Sequence, residues 1–298
     1  MHISIADIHF LMSCRDMPIH PETHIKTYDP FITLTSPSAE GSVTIEVGIE
    51  TTKFPDTGPL TKIFDTMELW SMFRDGDEYF WVDATEASPR KPTCIASFQR
   101  RTERVTVFCG KQLISEINGK RMVNNPFTHP LDQILIIYAL AERYGAMLHA
   151  CAVELDGKGY ILPGRSGAGK STISRLFAAR GHKLLSDDRV VARKIRDEFY
   201  AFGTPWAGDA EIAENRKLPL GGIFFIRQST ENRIEKLTPL GATERLMPVI
   251  SIPWFDKQTI PAILAFCEEL ILRIPVYELH FRPEAGAVNL LEEFAARQ

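Results

Sequence analysis

Two patterns of apolar spacing divide the chain. Up to about residue 125, apolar residues alternate with polar ones or fall in short β-branched and aromatic runs. Examples are Phe31-Ile32-Thr33-Leu34-Thr35, Val43-Thr44-Ile45-Glu46-Val47 and Val105-Thr106-Val107-Phe108. Period-two alternation puts successive side chains on opposite faces of a strand, so this part predicts strands joined by turns. Segments 55–59 and 87–92 supply turn residues, and Trp70, Phe80-Trp81-Val82 and Phe98 supply aromatic mass suited to sheet surfaces. No repeat of fixed period is present.

The pattern changes near Asn124-Asn125-Pro126. Leu131, Ile134, Leu135, Tyr138 and Ala141 follow helical spacing, which predicts a helix over 131–144 ended by Gly145. We place a domain boundary here: a β-rich amino-terminal domain over 1–125, to which no chemistry is assigned, and a second domain over 126–298. The second domain begins with strand 147–154, a tight turn at Asp156-Gly157 and strand 159–162, read as a hairpin. Further strands are predicted at 190–193, 199–202, 222–226, 234–237 and 276–281. Helices are predicted at 259–274, with Ile260, Ile263, Leu264, Cys267, Leu270 and Ile271 on one buried face, and at 288–297.

Composition narrows the class. With 298 residues and 44% hydrophobic content the chain can bury one large core or two modest ones. A net charge of −4 with scattered basic residues lacks the footprint of a nucleic-acid binder. The first residues lack a secretory pattern and no apolar run reaches a membrane span, so a cytoplasmic location without membrane contact is expected. Five widely spaced cysteines without a C-x-x-C pair suggest neither a disulfide framework nor a zinc site.

The chemistry concentrates in Gly164-Arg165-Ser166-Gly167-Ala168-Gly169-Lys170-Ser171, which fits G-x-x-x-x-G-K-[ST]. In such a loop the glycines let backbone N–H groups turn around a phosphate, the lysine adds charge near the terminal phosphates, and the serine hydroxyl ligates Mg2+. The flanks agree: Tyr160-Ile161-Leu162 is β-prone, and Ile173, Leu176 and Phe177 keep helical spacing before Gly181. Thr172 belongs to the same nucleotide-binding stretch. Asp187 and Asp188 follow Lys170 by 17 and 18 positions, room for one helix and one short strand. One carboxylate beside Ser171 suffices for Mg2+; the other can accept the proton of an attacking hydroxyl. The plainer reading is a solvated turn. His149, on the strand before the loop-feeding strand, is either packed or stands beside Asp187 and orients it. Trp206, after strand 199–202, is read as a packing residue with a stacking face as the alternative.

Leu148-His149 before a hairpin, the glycine loop, a short helix, Arg180-Gly181-His182-Lys183-Leu184 and Asp187-Asp188 together resemble the bacterial HPr kinase/phosphorylase family over about 147–191. The resemblance implies an α/β fold with a phosphoenolpyruvate carboxykinase-like P-loop core and a mixed or antiparallel sheet, beside the β-rich amino-terminal domain. It implies ATP or GTP with Mg2+, Lys170 and the loop amides on the phosphates, and Ser171 and Asp188 on the metal. It further implies Asp187 as general base supported by His149. Glu214-Asn215-Arg216 is similar to the family's E-x-R element, at a longer spacing, and would add Glu214 as a metal ligand and Arg216 as a phosphate contact. Residues 1–125 do not resemble the family's amino-terminal domain, and its carboxy-terminal recognition stretch is not found. The expected activity is phosphoryl transfer to a hydroxyl, of a serine in a protein or peptide or of a small molecule, in a chain that could form homo-oligomers. The alternative is a nucleotide-sensing regulatory module without transfer.

Overall fold

A computed structural model describes residues 1–20, 26–33, 42–51, 53–85, 91–101 and 103–297. They form two compact units, one of Met1–Lys26, Ile32–Glu142 and Pro253–Thr259, the other of Thr27–Phe31, Arg143–Ile252 and Ile260–Gln298. The helix that the sequence places after the boundary thus lies in the first unit.

The first unit holds strands β1 (His2–Ile5), β2 (Ile8–Cys14), β3 (Ile19–His20), β4 (Val43–Glu50), β5 (Thr61–Asp65), β6 (Ser71–Asp75), β7 (Glu78–Val82), β8 (Cys94–Gln99), β9 (Arg104–Cys109), β10 (Ile114–Ile117) and β11 (Lys120–Asn124), then helix α1 (Leu131–Ala141). Eight strands make one sheet in the order β1-β2-β4-β9-β8-β7-β6-β5, with β2, β4 and β9 parallel and the other pairs antiparallel. Alternation sets its faces: in β4, Ile45, Val47 and Ile49 are buried, while Thr44, Glu46 and Glu50 are exposed. The run at 31–35 is not a strand as expected. Phe31 closes a 3-10 turn, Ile32 makes a single bridge to Ile3, and Leu34 and Thr35 lie outside the described residues, as do 87–90 of the second turn segment. Helix α1 is buried nearly all round and presents Tyr138 to Tyr79 and Phe98. It stops at Ala141, earlier than expected, because Tyr144 adopts φ +51° and turns the chain into the next strand.

The second unit contains β12 (Gly145–Leu155), β13 (Lys158–Pro163), α2 (Lys170–Ala179), β14 (Leu184–Ser186), β15 (Arg189–Ile195), β16 (Glu198–Phe202), β17 (Lys217–Gln228), β18 (Arg233–Lys236), α3 (Pro239–Leu246), α4 (Ile260–Arg273), β19 (Val276–Phe281) and α5 (Ala285–Ala295). The hairpin β12–β13 is antiparallel, and β13 also pairs in parallel with β17, which pairs in parallel with β19. Since β12 pairs with β15, β15 with β16 and β16 with β17, the pairings return to the hairpin and the sheet is mixed. Helices α2 and α5 cover it through Ile173, Phe177, Val288 and Leu291, packed with Cys151, Leu162, Phe224 and Phe281. Burying a side chain such as Phe177 contributes about 2–3 kcal/mol. Arg180 donates to Asn289 and Glu292, both at 2.7 Å, which ties the end of α2 to α5. In α4 the buried face is Ile263, Phe266, Cys267 and Leu270. Leu264, expected among the buried residues, is exposed and with Ile271 lines a groove beside α3. Among the described residues no helix is long and apolar enough to cross a membrane.

Candidate functional site

Strand β13 ends at Pro163, where the chain must reverse into α2. Gly164 lies so close to Ala168 and Ile226 that a Cβ would stand 2.9 Å from each. Gly167 and Gly169 take φ +80° and +108°, values that L side chains avoid. At Gly169 a Cβ would meet the Phe281 ring at 2.6 Å. No side chain caps α2 at Gly169, so the first N–H groups of the helix lack a capping acceptor and stand at the positive end of the helix dipole.

Lys170 opens α2 and is 8% exposed. Its Nζ donates to the carbonyls of Gly164 at 2.9 Å and Arg165 at 3.4 Å. Burial, helped by the Arg189 charge, holds Lys170 below the usual lysine range against the opposing pull of Asp188 and Cys151. Together with Ser166, Gly167, Gly169, Ser171 and Thr172 it lines an open cleft of about 360 Å³, whose other wall carries His149, Asp187 and Asp188. Gly164, Arg165 and Ala168 shape the loop from below. The Arg165 carbonyl accepts from Ala168 N at 3.0 Å, and its side chain is exposed.

The two aspartates differ. Asp187, 4% exposed, accepts from Gly208 N through Oδ1 and from Ala210 N through Oδ2, both at 2.8 Å. Asp188 is partly exposed, with His149 Nε2 at 2.9 Å from Oδ1 and Arg189 at 3.1 Å from Oδ2. Burial pushes the Asp188 carboxyl up, but the hydrogen bond from His149 and the charges of Arg189, His149 and Lys170 outweigh it and leave it below the usual range. His149 therefore meets Asp188, not Asp187 as expected. In the β12–β15 register it stands opposite Arg189, one residue from Asp188.

Neither Glu214 nor Arg216 of the E-x-R element is among the residues that line the cleft. Glu214 is exposed and outside the residues lining the cleft, while its backbone N–H donates to Leu185. Arg216 is taken up by Glu154 in a two-pronged ion pair at 2.5 and 3.0 Å. Trp206 is 6% exposed and donates to the Tyr28 hydroxyl at 3.0 Å, a packing role. Arg189, Asp209 and Gln228 escaped the sequence reading. Gln228 lines the cleft from the end of β17 and continues the column of Phe224 and Ile226, so period two put it at the loop's rim.

The residues fit a phosphate with a hard cation: helix N–H groups and a buried ammonium on one side, the Ser171 hydroxyl and Asp188 as oxygen donors in the same cleft. A second group, Glu235, Glu278 and His280, has ligand atoms within 4.8 Å of one another, but Arg245 and Arg233 already engage its carboxylates and it is an ion-pair network.

No family model matches the sequence. HPr kinase/phosphorylase 1 of Oceanobacillus iheyensis is 29% identical over 171 residues, 50% of this chain and 52% of that protein. HPr kinase/phosphorylase of Geobacillus thermodenitrificans is 28% identical over 166 residues, with the same shares. The chain thus spans about half the length of the curated relatives it matches. Among solved structures, the Hpr(Ser) kinase/phosphatase from Coxiella burnetii aligns with a TM-score of 0.31 and 13% identity over 51% of this chain and 97% of that one. Over the matched half of its length the chain is a diverged relative of the HPr kinase/phosphorylases.

Proposed function

We propose that the second unit binds a nucleoside triphosphate with Mg2+ and transfers the γ-phosphate to a hydroxyl, of a serine in a protein or peptide. The observation that carries this reading is a buried lysine at an uncapped helix N-terminus in one cleft with two aspartates. Mg·ATP, or Mg·GTP, supplies the phosphoryl group and the metal charge. Lys170 and the amides of 167 and 169–171 hold the phosphates, and Ser171 and Asp188 are the metal's protein oxygens. His149 and Arg189 fix Asp188 in place. Asp187 takes the proton of the incoming hydroxyl, so rate comes mainly from positioning and fixed charge. Glu214 has no part in this arrangement. The acceptor's nature rests on the resemblance to HPr kinases, and residues 1–125 carry no assigned chemistry.

The engagement of both Asp187 oxygens by backbone N–H groups favours a second reading, a nucleotide sensor in which this carboxylate only anchors the 208–210 segment. Incubation with Mg2+ and γ-labelled ATP in an extract of source cells, beside Lys170→Ala, separates the two. Label on a protein or peptide with the native chain alone is the expected result, and Lys170→Ala should bind ATP at least tenfold more weakly. Nucleotide binding without any transferred label would leave the sensor.

A further inference from the structure

The Gly167–Ala168 peptide is held from both ends. Its N–H donates to Arg165 O at 3.0 Å, and its carbonyl accepts from Gln228 Nε2 at 3.4 Å. Glycines at 167 and 169 remove the Cβ atoms that would oppose rotation of the intervening peptides. If the Gly167 carbonyl turned inward, its oxygen would face the phosphates and repel them. Gln228 is rooted in β17 beside Ile226, whose side chain lies against Gly164, and its Nε2 stands 3.3 Å from the position a Gly169 Cβ would take. It is therefore an exposed donor whose backbone is held by the sheet and whose amide reaches the most permissive part of the loop.

We propose that Gln228 is a positioning residue for nucleotide binding: its side-chain N–H locks the Gly167 peptide with the carbonyl away from the phosphates. This rests on the reading of the cleft as a nucleotide site. The lock acts on the loop and not on the γ-phosphate, so it aids ADP and ATP equally. One neutral hydrogen bond corresponds to about three- to tenfold in affinity.

The test is titration calorimetry of the full chain with Mg·ADP and Mg·ATP, for the native protein, Gln228→Ala, Gln228→Met and Gln228→Glu, with melting temperatures beside it. Methionine keeps the length and packing but removes the donor. The assignment expects both nucleotides to weaken about three- to tenfold in Gln228→Ala and Gln228→Met alike, and further in Gln228→Glu, whose charge opposes carbonyl and phosphate. Melting temperatures should stay near native. Native affinity in Gln228→Met would show that packing is what matters and overturn the lock. Loss confined to ATP would overturn it in favour of a γ-phosphate contact. Native binding with all variants unchanged removes the assignment alone, whereas a native chain that binds neither nucleotide removes the nucleotide reading with it.

Discussion

Asp187→Asn is the substitution that separates chemistry from architecture at this site. The carboxylate is nearly fully buried and receives one backbone N–H on each oxygen, from Gly208 and Ala210. Asparagine keeps the shape but replaces one acceptor with a donor, so one amide loses its partner and faces another N–H. A hydrogen bond to a charged group contributes about 1.5–3 kcal/mol, and a buried donor without a partner costs about 1–3 kcal/mol. The two overlap, which gives a loss of about 2–4 kcal/mol, or about 4–16 °C in melting temperature for a unit of this size. Amide hydrogen exchange at Gly208 and Ala210 should accelerate, while ATP affinity stays within about twofold because the proposed phosphate contacts lie on the loop and Lys170. Transfer should fall to background. Native melting and native protection at both amides would refute the anchoring role. A large loss of ATP affinity would instead make Asp187 a metal ligand.

Two further outcomes follow from the same geometry. Gly169→Ala should cost about 1–2 kcal/mol for its left-handed backbone and about 1–3 kcal/mol for overpacking against Phe281. Adding Phe281→Leu should relieve the second cost, and urea unfolding that shows no relief would deny the contact. At Glu278, burial raises the carboxyl, but the hydrogen bond from Arg245 and the charges of Arg245, His280 and Arg227 prevail and hold it below the usual range. A lowered carboxyl stabilises the fold above the unfolded value, about pH 4.3, and that contribution is lost as pH falls through the folded value. Glu278→Gln should therefore be less stable than the native chain at pH 7, with the two melting curves converging toward pH 3; a constant difference across that range would exclude the ion pair.

The parts legible in the sequence are those set by local geometry. The hairpin, the glycine loop, α2 and the Asp pair follow one another within about 45 residues, and each is fixed by turn chemistry, period or spacing. The parts that escaped depend on pairing between distant segments. Which aspartate His149 meets is decided by the β12–β15 register, and the bend at 187–188 between β14 and β15 leaves Asp187 to amides about 20 residues downstream. Arg216 is expected on a phosphate from the resemblance to the E-x-R element, and nothing in its neighbourhood of the sequence reveals its ion pair with Glu154, 62 positions earlier. Gln228 was missed for the same reason, since its place at the cleft exists only once β17 lies beside β13. The end of α1 was misjudged because glycine is the usual terminator, whereas here Tyr144 carries the positive φ.

The hairpin β12–β13 makes the distance between His149 and the glycine loop a property of one covalent ruler. Ala150 stands opposite Pro163, and the His149 carbonyl receives the Gly164 N–H at 3.3 Å, so imidazole and loop are spaced by ladder rungs. The far end of the ruler, the turn at Asp156-Gly157, takes no part in that spacing. Insertions at 156–157 lengthen the handle and leave the graduations untouched, which makes the turn the place to graft a reporter. Removing a single residue from either strand shifts every rung and exchanges the faces of the sheet, so the site tolerates change of length at its far end and none between the marks.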